Sequence, residues 1–356
     1  MAYTTINKSS SYFNTVLYTG NGSTLNVTGV GFKPDWVWLK SRNNTYYHNL
    51  YDAVRGFSSV YGRVLFTNDT LVEDANAGLT SFNTDGFSLG SEVGQNGNAT
   101  TYVAWNWLGA NTTVSNTSGS ISSTVSANTT AGFSIVSYTG TGANATVGHG
   151  LGATPAMIIV KSRNATNGWY VVHNKSWGND GNGLFLNNTS GIYNRVTDLG
   201  GTGITAWSSS TFSMTNGSGT FLCTNGTTYI AYCFATIKGY SAFGSYTGNG
   251  STDGTFVYTG FKPAFMMIKN TTVADGWQLI DAKRNVTNGS NNSRLEANNA
   301  NAESVNSTWT LVDLLSNGFK QRYTDNIMNA SGSTYIYMAF AENPFVTSGG
   351  IPVTAR

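Results

Sequence analysis

The sequence offers few residues for chemistry at neutral pH. It holds three histidines, His48, His149 and His173, and a general acid or base is most often a histidine or a perturbed carboxylate beside a nucleophile. His48 and His173 occupy different positions of an internal repeat described below. His149 sits in the glycine-rich stretch VGHGLG. No HExxH, GxSxG or phosphate-binding loop occurs. Asp52, His173 and Asp281 share one repeat position, so they are expected in three different modules rather than in one site, as polar residues at strand ends. Asp52 and Arg55, like Asp281 and Arg284, stand in an Asp-x-x-Arg spacing, which reads as an ion pair holding a turn. No catalytic, cofactor-binding or metal-binding residue is assigned, and the chain is expected not to be an enzyme.

Two cysteines flank the turn-forming pair Asn225-Gly226. A tight hairpin there places Cys223 opposite Thr228, so Cys223 and Cys233 are expected to be unpaired thiols. Two cysteines without nearby histidines also fall short of a zinc site. Of the nine tryptophans, Trp36, Trp38, Trp105 and Trp107 lie in apolar strands and read as core. Trp177, Trp207 and Trp309 have polar surroundings and are the candidates for stacking on a glycan, with core or rim packing as the plainer reading.

The most unusual motif is Asn-x-Ser/Thr, present 23 times. Asn7, Asn21, Asn26, Asn43, Asn68, Asn98, Asn111 and Asn116 carry it in the first third. Asn128, Asn144, Asn164, Asn174, Asn187, Asn188, Asn216 and Asn225 carry it in the middle, and Asn249, Asn270, Asn285, Asn288, Asn291, Asn306 and Asn329 in the last third. Random placement gives about 10 such sites for this composition. Two explanations stand side by side: N-glycosylation in a host that permits it, or a composition in which Asn-Thr steps suit exposed turns. The second is preferred.

Composition excludes several classes. Charged residues make up 10%, against roughly 25% in ordinary soluble proteins. Neutral polar residues replace them: 41 Asn, 37 Ser, 48 Thr and 42 Gly, nearly half of the 356 residues. The net charge is +2 with no basic run, so nucleic acid is not an expected partner. No apolar run approaches the roughly 18 residues of a membrane span. The start, MAYTTINKSSSYFN, lacks the charged and apolar regions of a signal peptide, so export is expected by another route or inside a particle.

A repeat supplies the elements that position these residues. YTG begins at Tyr18, Tyr138 and Tyr246, and each copy leads to a proline followed by an apolar strand ending in lysine: PDWVWLK to Lys40, PAMIIVK to Lys161 and PAFMMIK to Lys269. Eight residues beyond that lysine stand His48, Trp169 and Trp277; ten beyond, Leu50, Val171 and Leu279; twelve beyond, Asp52, His173 and Asp281. The period of two marks a strand. GFSLG, TFSMT and GFKQR follow, and each copy closes with TYVAWNW, TYIAYCF or TYIYMAF.

The apolar strand is hydrophobic on both faces, as a strand covered on both sides must be. The closing strand alternates large and small residues, which suggests that its large face fills the space between two sheets. The predicted fold is all-β: three tandem, diverged β-sandwich modules of jelly-roll or concanavalin-A-like type. Their boundaries fall at 1–112, 113–240 and 241–346, followed by a C-terminal tail, 347–356. The stretch from Gly109 opens as a linker, and Ile121 and Val125 anchor its second half as an edge strand. The only helix-like segment, SRLEANNANAES from Ser293, reads better as a loop.

The start MAYTTINKSS, the phrases GVGFKPDWVWLKSR and FGSYTGNGSTDGTFVYTGFKPAFMMIK, and the ending TYIYMAFAENPFVTSGGIPVTAR resemble virion-associated, tail-fibre-like proteins of marine bacteriophages of the pelagiphage and cyanophage kind. The resemblance covers nearly the whole chain. It implies concanavalin-A-like sandwich modules and no catalytic residues. The expectation is therefore a non-enzymatic tail fibre or capsid-surface decoration on the virion surface, contacting the host. Its partners would be itself, as a homo-oligomer with a trimer as first guess by analogy with fibres, other virion proteins, and host surface glycans. Neither a cofactor nor membrane insertion is expected. The alternatives are an N-glycosylated extracellular protein that polymerises into a filament or coat, and, more weakly, a carbohydrate-binding or carbohydrate-active module.

Overall fold

In a computed structural model, residues 4–174, 179–285, 288–289, 292–306 and 310–343 are described. The chain is all-β: antiparallel strands dominate, with one four-residue helix and one 3-10 turn among these residues. Among the described residues no helix is long and apolar enough to cross a membrane.

Three large sheets draw on successive parts of the chain. The first runs in the order Phe13–Thr19, Thr101–Trp107, Trp36–Ser41, Asn49–Asp52, Tyr61–Phe66. The second repeats that order with Phe133–Thr139, Thr228–Phe234, Met157–Ser162, Tyr170–His173 and Leu184–Phe185, and the third with Ser241–Thr247, Thr334–Ala341, Pro263–Asn270, Gln278–Asp281 and Asn292–Glu296. Register confirms the repeat residue by residue. Lys40, Lys161 and Lys269 pair with Val103, Ile230 and Ile336, the third residue of each closing strand. The three YTG tyrosines stack alike: Tyr18 on Tyr102, Tyr138 on Tyr229 and Tyr246 on Tyr335, with ring centroids 5.0, 5.2 and 5.0 Å apart.

A three-stranded sheet faces each large one and makes it a sandwich: Leu25–Thr28, Gly86–Leu89 and Leu79–Asn83 in the first module. Val27, Leu79, Phe87 and Leu89 of this small sheet bury against Val37, Leu39, Tyr51 and Ala104 of the large one. The second and third modules have equivalent cores. The small-residue face of the closing strand thus looks into its own sandwich.

The large-residue face does something else. Trp36, Trp38, Trp105 and Trp107 of the first module join Ile230, Tyr232 and Phe234 of the second and Ile336, Met338 and Phe340 of the third in one shared core. The expectation that large residues fill the space within a sandwich is corrected: they fill the space between sandwiches. Both faces of the central strand of each large sheet are therefore covered, and for that reason WVWL, MIIV and FMMI are apolar on both faces.

Three local readings also change. The supposed linker carries a strand, Val114–Asn116, which is the true edge and pairs with Ser123–Asn128. The stretch from Ser293 starts in strand Asn292–Glu296 and only then becomes the expected loop, over 297–303. No tight hairpin joins the strands around Asn225, since Thr211–Thr215 precedes and Thr228–Phe234 follows it. The cysteines are nonetheless free and buried, and the Cys223 thiol meets the Ala143 carbonyl at 3.3 Å.

Candidate functional site

The residues singled out for chemistry gather at the seams between modules. In the first module the Asp52 side chain accepts the Arg55 backbone N–H at 2.7 Å and pairs with the Arg55 guanidinium, both side chains fully buried. Asp281 does the same for Arg284, whose backbone N–H lies at 2.9 Å. The predicted ion pair is thus present, but it lies in the interior rather than on a surface turn. Each aspartate also receives a side chain from another module. The Tyr232 hydroxyl donates to Asp52 Oδ2 at 2.7 Å, and the Trp105 indole N–H to Asp281 Oδ2 at 3.1 Å. Tyr232 and Trp105 are both the fifth residue of a closing strand, so the contacts are equivalent. In the second module His173 holds the aspartate position and is buried; Ser176, the counterpart of Arg55, lies outside the described residues.

The position eight beyond the lysine also crosses a seam. Trp169 donates its indole N–H to the Phe66 carbonyl of the first module at 2.8 Å, and Trp277 donates to the Phe185 carbonyl of the second at 3.0 Å. In the first module His48 stands there, accepting from Trp38 Nε1 at 3.0 Å. Burial holds its pKa well below the usual imidazole value, the Lys40 charge adds to this, and the facing backbone of Glu296 in the third module opposes both. His48 is therefore a neutral packing residue.

The lysines complete the pattern. Lys161 Nζ reaches the Thr70 carbonyl of the first module at 3.2 Å, and Lys269 Nζ reaches Thr189 of the second at 3.1 Å. Burial lowers Lys40 to about 7, and Lys161 and Lys269 to about 8. Two residues on, Arg163 grips Glu73 of the first module through two bonds of 2.8 and 2.9 Å, and Arg42 grips Glu303 of the third through bonds of 2.9 and 2.8 Å. Burial pushes both glutamates up, but the surrounding arginines outweigh it and hold them below the usual carboxylate range. At the remaining seam Thr271 replaces the arginine and its carbonyl accepts the Ile192 N–H at 3.1 Å. Module two thus joins one, three joins two and one joins three: a closed ring with pseudo-threefold symmetry.

The sequons divide by burial. Asn7, Asn98, Asn144 and Asn164 are among the exposed ones, whereas Asn270, Asn285 and Asn329 are buried. These three are corrected as glycan sites, because a bulky hydrated sugar there displaces packed chain. Asn329 Nδ2 donates to the Ser251 carbonyl at 2.8 Å, and its Oδ1 accepts the Asn249 N–H at 3.1 Å. Others serve the repeat: Asn68 and Asn187 accept the backbone N–H of His48 and Trp169, each at 2.8 Å, and Asn298, which is no sequon, accepts that of Trp277 at 2.7 Å. The asparagine is retained where the sequon is not. Asn291 and the side chain of Asn306 lie outside the described residues.

Of the candidate stacking residues, Trp207 ends strand Gly203–Trp207 half-buried against the second module's core. Trp177 and Trp309 lie outside the described residues. Among the described residues no group of three His, Cys, Asp or Glu could hold a metal ion. Sequence reasoning missed Arg42, Glu73, Arg163 and Glu303. Their arginines follow the lysine in the KSR strings of the first two copies, but nothing in the sequence tied them to glutamates about a hundred or more residues away.

The family model described as "Domain of unknown function (DUF7483)" matches residues 8–344, and the chain belongs to that family. No curated protein and no solved structure matches it.

Proposed function

We propose that this chain is a non-enzymatic structural protein of a virion surface, a tail fibre or capsid-surface decoration that contacts the host. The observation that carries this reading is the closed ring of seams. Asp52, Asp281, His48, Lys161 and Lys269, among the groups best suited to chemistry, are buried in contacts that join modules, and Lys40 is buried on carbonyls of its own module. A fold that directs its ionisable groups inward to fix three modules suits a rigid building block. The phage-like phrases of the sequence give that block its setting.

The trimer expected from fibres has a different footing now. Fibre proteins close a threefold from three chains, whereas one chain closes it here. Contacts with other virion proteins, or with copies in a lattice, therefore take precedence over a homotrimer in this proposal.

Imaging and mass spectrometry of purified native particles test it. The chain should be found at fixed copy number, in contact with neighbouring capsid or tail subunits. Its absence from particles, together with recovery as a secreted glycosylated filament, would replace this reading with the extracellular one.

A further inference from the structure

The three modules differ at one place where the repeat makes the difference interpretable. Seven residues before the closing strand stand Gly94, Phe221 and Ile327; nine beyond the lysine stand Asn49, Tyr170 and Gln278. In the neighbouring strand, Phe66, Phe185 and Glu296 pair with those three. In the second module Phe221 fills the space between its partners, with its ring 4.9 Å from Tyr170 and 5.5 Å from Phe185. In the third, Ile327 takes that position and Arg294 bonds Gln278 Oε1 at 2.6 Å. In the first module glycine replaces the plug, and a pocket of about 310 Å3 opens beside Asn49, Phe66 and Gly94.

Its walls suit one kind of ligand. Tyr47 is exposed, with its ring 5.4 Å from Phe66. Asn76 and Glu92 supply polar groups, with the buried Gln95 behind them, and no lysine or arginine lines the pocket. Asn76 Oδ1 accepts from the Tyr51 hydroxyl at 3.2 Å, leaving its amide N–H groups as donors. Gln95 is fully buried and donates to Asn49, while its side-chain oxygen has no partner in the structure. Aromatic edges, amides and a carboxylate match a ring that is apolar on its face and hydroxylated around its rim. The missing cation disfavours phosphates and acidic sugars. The volume lies at the small end of ligand pockets, about 300–1,000 Å3, and fits a single ring rather than a chain.

We infer that the pocket between Tyr47, Phe66, Asn76, Glu92 and Gln95 of the first module binds one neutral pyranose unit of a glycan. The assignment holds whether or not the chain is a virion protein. It places recognition away from Trp207, at aromatic residues that composition alone did not mark.

Saturation-transfer NMR with methyl glycosides of glucose, galactose, mannose and N-acetylglucosamine tests it on the full chain. At least one glycoside should receive saturation, and a titration should give its affinity. Gly94→Phe copies the plug of the second module. Beyond its chain neighbours, an added Cβ at Gly94 comes no closer than 3.7 Å to any atom, the Asn49 amide nitrogen being nearest, so this variant should keep its melting temperature while weakening binding at least tenfold. Asn76→Leu, which removes donors without filling the pocket, should weaken it as well and replaces Gly94→Phe if that variant misfolds. No transfer to any of the four glycosides, or transfer unchanged in the folded variants, would overturn the assignment.

Discussion

Among single residues the buried lysines make the sharpest prediction. Lys40, Lys161 and Lys269 are lowered in the folded chain to about 7, 8 and 8 by burial, while an unfolded lysine keeps a pKa near 10.4. Between those values the unfolded chain binds more protons, so stability contributed by these groups rises with pH from about 7 to 10 and is lost as pH falls back through the folded values. Melting followed at pH 7 and pH 9.5 should show the higher midpoint at pH 9.5, and Lys161→Met with Lys269→Met should flatten the difference. Buried asparagines give a second prediction. Asn329→Ala removes a fully buried amide from three hydrogen bonds and should cost about 1–3 kcal/mol, whereas Asn98→Ala, on the surface, should change stability by less than about 0.5 kcal/mol. Denaturant titration compares the two. At this scale the sequence showed which residues are equivalent, since an ungapped count from each lysine places His48, Trp169 and Trp277 together. It did not show what they touch, because each partner comes from another copy.

At the scale of elements, the account turns on strands whose two faces have different destinations. Alternation in TYVAWNW separates Trp105 and Trp107 from Ala104 and Asn106, and it was legible as a strand with one large-residue and one small-residue face. Which face met which core was not legible: a sheet-to-sheet core and a module-to-module core demand the same large residues. The seams follow a similar logic. Glu73 joins the first and second modules through Arg163 while also facing Arg55 and Arg63. Glu73→Gln removes the carboxylate shared by Arg163 and Arg63, leaving Arg55 with Asp52 alone, and should cost about 3 kcal/mol, the range for breaking a buried pair. Because the folded carboxyl is held below its usual range, that contribution is present above about pH 4.5 and disappears as pH falls through the folded value. Wild type and Glu73→Gln should therefore approach each other in stability as pH is lowered below about 4.5. Equal stability at pH 7 would show that Arg163 and Glu73 do not secure the seam.

For the whole molecule, the sequence predicted three sandwich modules and left their relation open. Composition and local spacing describe each copy by itself, whereas the shared core holds Trp36, Tyr232 and Phe340 from three copies at once. The central claim is that the ring is one structural unit. Independent modules of about a hundred residues would each unfold as their own two-state domain. A ring whose largest side chains lie in a common core should unfold as one. Differential scanning calorimetry of the full chain under reversible conditions tests this most directly. A single transition with equal calorimetric and van 't Hoff enthalpies is predicted; three separable transitions, each with the enthalpy of one module, would contradict it.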